Sequence, residues 1–169
     1  FLEELTRAVV EQGALQADAA VPNTIQGVLM ARIDRLPDAA KRLLQTASVL
    51  GREFSLRLLG TLWEGSGAVE PLLGQLQRLE FVYEHTGAEE PVYVFKHVLT
   101  QEVAYGSLLH ERRRTLHARI VEAIETLSAD RLAEQVEQLA RHAFWGEVWD
   151  KAVAYYWQAG AKAFTRSAL

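Results

Sequence analysis

The most constraining feature of this sequence is a change of hydrophobic period around one histidine. Val92, Tyr93, Val94 and Phe95 form a short β-branched and aromatic run behind Glu89-Glu90-Pro91, the signature of a strand. From Leu99 the spacing becomes helical, carried by Leu99, Val103 and Leu108. His97 falls between the two patterns. A helix start presents free backbone N–H groups and the positive end of the helix dipole, so a histidine there stands where an anion is attracted. The commoner condition of a lone histidine is a satisfied, partly buried side chain, and the sequence leaves both readings open.

The rest of the chain is organised around this junction. Leu2, Leu5, Val9 and Val10 share one helical face, Gly13 is a stop, and residues 13–21 read as a loop or a weak hairpin rather than a core element. Pro22 opens a second helix with Asn23 or Thr24 as cap and a stripe of Ile25, Val28, Leu29, Ile33 and Leu36. Asp38 caps a third, facing inward with Leu43, Leu44, Ala47 and Leu50. Residues 51–55 are expected as a turn, with Ser55 capping a short helix through Leu58, Leu59 and Leu62. Gly65-Ser66-Gly67 is a flexible joint, followed by a helix bearing Val69, Leu72, Leu73, Leu76 and Leu79. Two short strands around a polar loop then make a hairpin. Three helices followed by a hairpin is the order of a winged helix.

Beyond Leu109, His110 and the run Arg112-Arg113-Arg114 begin a helix whose core face is Leu116, Ile120, Ala123, Ile124 and Leu127. Ser128-Ala129-Asp130 caps the next, and the pattern then becomes paired antiparallel helices. Leu132, Val136, Leu139 and Phe144 are followed by Gly146, then Trp149, Ala152, Tyr156 and Ala159. Small residues interleaved with aromatics suggest a hairpin of the tetratricopeptide kind. The fold class expected is therefore mainly α. A helical segment covers residues 1–36, a winged-helix-like module with a short β-hairpin covers 37–127, and a helical-repeat hairpin covers 128–169.

Several chemistries find no support. The chain has no cysteine, which removes disulfides and thiolate metal sites and fits a reducing, cytoplasmic setting. A formal charge of -4 argues against a nucleic-acid surface over most of the chain. No apolar run reaches the roughly 18 residues of a membrane span. There is no phosphate-binding Walker A loop and no Gly-x-Ser-x-Gly elbow. His85, His97, His110, His117 and His142 lack metal-site spacing, so no metal, cofactor or catalytic residue is expected within the chain.

Two surface features have competing readings. Arg112, Arg113 and Arg114 form a solvated helical face, a contact with an adjacent domain or acidic partner, or a DNA-binding patch. The helix at residues 69–80 offers only Gln75, Gln77 and Arg78 as polar readers, which weakens the DNA reading. Trp145, Trp149 and Trp157, with Tyr155 and Tyr156, line a repeat groove or pack as core. Core packing is the favoured reading, because aromatics dominate cores.

Three segments in order carry a family resemblance. They are Val21-Pro22-Asn23-Thr24-Ile25-Gln26-Gly27-Val28-Leu29-Met30-Ala31-Arg32-Ile33-Asp34-Arg35-Leu36, then Leu43-Leu44-Gln45-Thr46-Ala47-Ser48-Val49-Leu50-Gly51-Arg52-Glu53-Phe54, then Phe95-Lys96-His97-Val98-Leu99-Thr100-Gln101-Glu102-Val103-Ala104-Tyr105. Together they resemble bacterial STAND signalling ATPases, AAA-type proteins often joined to a class III adenylate or guanylate cyclase or to a transcription-factor domain. The resemblance implies an upstream ATPase core acting in cis, with Phe1-Leu2-Glu3-Glu4-Leu5 in its helical lid, ahead of the winged helix and repeats. It implies ADP or ATP as ligand of the parent protein and a protein partner for the repeats. His97-Val98-Leu99 resembles the His-Asp-Leu portion of the Met-His-Asp motif, whose histidine touches the β-phosphate of ADP in the closed state. Here Lys96 and Val98 stand where that motif has Met and Asp.

Overall fold

The structure, a computed structural model, describes residues 21–85 and 90–167. The elements in order are α1 (Val21–Asp34), α2 (Asp38–Leu50), β1 (Glu53–Ser55), α3 (Leu56–Leu62) and α4 (Val69–Arg78). They continue with β2 (Val82–His85), β3 (Val92–Phe95), α5 (Val98–Gly106) and α6 (His110–Leu127). A 3-10 turn (Ala129–Arg131) then leads into α7 (Leu132–Trp145) and α8 (Trp149–Ser167). The described residues are mainly helical, with one small antiparallel sheet. None of their helices is long and apolar enough to cross a membrane. The helix expected before Gly13 and most of the loop after it lie outside the described residues.

The hydrophobic stripes account for the packing. Ala40, Leu43, Leu44, Ala47 and Leu50 are spaced three and four apart on α2, and all are buried. Leu116, Ile120, Val121 and Ile124 do the same for α6, which packs against α2 and α3 and, beyond them, α7. One continuous cluster of buried residues runs from Leu29 to Ala152. Ser55 caps α3 as expected, its Oγ accepting from the Leu58 amide at 3.1 Å.

The expected turn at residues 51–55 is instead partly strand. Glu53, Phe54 and Ser55 pair antiparallel with Val94, Tyr93 and Val92, so the hairpin becomes a three-stranded sheet in the order β1-β3-β2. A three-residue strand is too short to display a period of its own. What selects it is Phe54, which stacks on Tyr93 at 6.1 Å and meets the edge of Phe95 at 5.8 Å. Central β3 is accordingly buried along Tyr93, Val94 and Phe95.

Three expected caps are replaced. Helix α1 begins at Val21, so Asn23 and Thr24 lie inside its first turn. Pro37, not Asp38, precedes α2; it makes no side-chain cap, and Asp38 sits in the first turn where its charge favours the helix dipole. Ser128 makes no side-chain cap either, and the 3-10 turn carries the chain into α7. Leu79, expected on the α4 stripe, is the residue after the helix and is exposed.

Candidate functional site

The β3–α5 junction forms as the change of period predicts. Pairing holds the chain to the end of the strand: the Phe95 amide donates to Arg52 O at 2.9 Å and the Lys96 amide to Phe81 O at 3.0 Å. His97 follows in extended conformation (φ -131°, ψ 135°) as the N-cap residue of α5. Its carbonyl accepts from the Thr100 amide at 3.1 Å, while its side chain makes no capping bond to the helix. His97 is half-buried.

Charge gathers beside it. Glu80, in left-handed conformation at φ 60°, accepts from Lys96 Nζ at 2.8 Å. The Lys96 hydrogen bond and charge, with further pull from Arg32 and His97, hold the Glu80 carboxyl below its usual range. Arg32 reaches this region from α1, donating to Leu79 O at 3.1 Å with its guanidinium 5.0 Å from the Phe81 ring centre. Arg32, Lys96 and His97 thus cluster around one carboxylate at a positive helix end. The chemistry of such a cluster is attraction of an anion, with Glu80 as the resident counter-charge.

The arginine run has a different role from an open basic patch. Arg112 binds Glu64 at 2.5 Å, and Arg119 binds the same carboxylate. Arg113 Nε donates to Leu108 O at 2.9 Å, and its guanidinium lies 4.9 Å from the centre of the Tyr105 ring. Arg114 binds Glu111 and, at 3.1 Å, Glu147 in the α7–α8 turn. Each arginine therefore holds the start of α6 to another part of this chain.

The favoured core reading of the aromatics is overturned. Trp145, Trp149, Tyr156 and Trp157 are 55%, 57%, 51% and 81% exposed. Phe144 is exposed too, and its ring meets the edges of Trp145, Trp149 and Tyr156 at 5.5, 5.8 and 6.4 Å. The hairpin buries Val136, Leu139, Ala140, Ala143 and Ala152 inward, so the large rings fall on its outer side. Tyr155 alone turns in, its hydroxyl donating to Glu125 at 2.6 Å; burial, then the Glu125 carboxylate, pushes it up to about 12.

Sequence reasoning missed a buried histidine pair. His117 Nδ1 lies 2.8 Å from His142 Nδ1, and Tyr105 Oη lies 3.1 Å from His117 Nε2. Burial, then Arg141 and Arg113, pushes His117 down to about 4; burial, then His117 and Arg141, pushes His142 down to about 3. Position 117 lies three residues before Ile120 and position 142 three after Leu139, so both fall on core stripes. Among the described residues no three His, Asp or Glu side chains gather as metal ligands. Comparison with family models, curated proteins and solved structures gives no match to this chain.

Proposed function

We propose that this chain is the regulatory and interaction region of a STAND-type signalling ATPase, relaying nucleotide state from an upstream ATPase core to helical repeats. The observation that carries the reading is His97 at the N-cap of a helix, beside Lys96, Arg32 and Glu80. An imidazole there can donate to a phosphate oxygen when the region folds back on bound ADP. Release of that contact on exchange for ATP shifts the population toward an open state. Catalysis and the nucleotide belong to the parent protein in the cytoplasm.

The element order supports a winged-helix reading for residues 37–127. A helix, a short strand, two helices and a hairpin follow one another from α2 to β3, and β1 supplies the strand that sequence alone did not give. The α7–α8 hairpin is the start of tetratricopeptide-like repeats, and its exposed rings are the surface for a further helix or a protein partner. The same surface favours a second reading, a helical-repeat scaffold that works without an ATPase. The DNA-binding alternative loses support, because Arg112, Arg113 and Arg114 are engaged within the chain.

Mixing this chain with the separated ATPase domain separates these readings. The switch predicts tighter association when that domain carries ADP than when it carries ATP, and loss of the difference in His97→Ala. Association indifferent to nucleotide would leave the scaffold reading.

A further inference from the structure

A signal arriving at His97 enters α5, because His97 is that helix's N-cap. The far end of α5 is tied down. Arg113 of α6 donates to Gly106 O at 3.3 Å and Leu108 O at 2.9 Å. Tyr105 then leads inward through His117 of α6 to His142 of α7, at 3.1 and 2.8 Å. One line of polar atoms thus crosses three helices. It ends at His142 Nε2, which is buried and has no hydrogen-bond partner among the described residues.

Counting protons gives this line a direction. Two facing Nδ1 atoms of neutral imidazoles share one hydrogen. If His117 supplies it, His117 Nε2 must accept from Tyr105, and His142 is left burying an unpaired Nε2–H. If His142 supplies it, His117 Nε2–H donates to the Tyr105 oxygen, and His142 ends in a bare lone pair. Orphaned buried donors are rarer than under-satisfied acceptors. Tyr105 is only half-buried, so its own hydroxyl hydrogen can reach water. The second order leaves less unmet.

We propose that Tyr105, His117 and His142 form a directional interlock, donating from His142 to His117 to Tyr105, that couples α5 and the His97 junction to the α7–α8 hairpin. It rests on the nucleotide-switch reading for the signal it carries, but the coupling itself needs no nucleotide. A turn of α5 that withdraws Tyr105 strands the His117 Nε2–H in the interior. Reversing the order does not remove the cost but moves it, because it puts the unpaired hydrogen on His142 Nε2 in α7. Arg113 above Tyr105 and Arg141 beside the pair disfavour an imidazolium as an escape.

The test uses this chain without nucleotide. Long-range nitrogen-15 NMR at pH 7.5 should find hydrogen on His142 Nδ1 and His117 Nε2. Amide exchange supplies the second readout, because coupling is reciprocal. Tyr105→Phe should speed exchange across residues 132–145 about tenfold, and His142→Phe should do so across residues 98–106 by a comparable factor. Should His142→Phe unfold the chain, Tyr105→Phe decides alone. Hydrogen on His117 Nδ1, or faster exchange confined to the substituted helix, overturns the interlock. Failure of nucleotide dependence with the interlock intact would instead reject the switch.

Discussion

At the residue scale, the two buried imidazoles make the fold sensitive to acid. Both are held neutral, at about 4 and about 3, against an ordinary histidine near 6.5. The unfolded chain therefore binds more protons than the folded one below pH 6.5. Stability is full above that pH and falls as the pH drops toward 4. Each imidazole contributes a slope of up to about 1.4 kcal/mol per pH unit in that window. Tyr105, Arg113 and Arg141 are the titratable and charged groups that face the pair. Urea unfolding at pH 7, 6 and 5 should show the loss, and a flat profile would mean that the pair takes up protons without opening. Individual histidines were only half legible in the sequence. The change of period places His97 at its junction, but nothing local announces that residues 117 and 142, far apart in the chain, share a hydrogen bond.

At the scale of elements, the helices were legible because their apolar residues repeat at three and four over ten or more positions, as in α2 and α6. Strand β1 was not, because its pairing with β3 is decided by Phe54 against Tyr93 and Phe95 across the sheet. The aromatic hairpin was misread for a related reason. Period identifies the face of α8 that carries Trp149, Tyr156 and Trp157, while its burial depends on what lies opposite. Gly146 marks a close approach of that hairpin to α6. A Cβ there would lie 2.7 Å from Ala118 N and 3.0 Å from Ala118 Cα, both backbone atoms of α6. Gly146→Ala should therefore force the turn away from α6 and cost about 1–3 kcal/mol, as overpacking does. The next residue, Glu147, is bound to Arg114, so the variant should also loosen that ion pair. Thermal unfolding of the variant measures the cost, and an unchanged midpoint would mean that the turn moves freely.

At the scale of the whole molecule, one continuous core joins the sheet, the junction and the helical hairpin. A contact made at His97 acts on α5, which packs on α1 and α2, while Tyr105 reaches α6. That continuity is what a relay requires, and it makes the proposed phosphate contact at His97 the point on which the functional reading stands or falls. Calorimetry of ADP and ATP binding to the proposed parent ATPase, with His97 present and changed to Ala, weighs it. A lost hydrogen bond to phosphate should weaken ADP about tenfold or more, leave ATP unchanged and raise basal ATPase or effector output. Unchanged ADP affinity together with a lower melting temperature would contradict it, and would return His97 to a structural place between strand and helix.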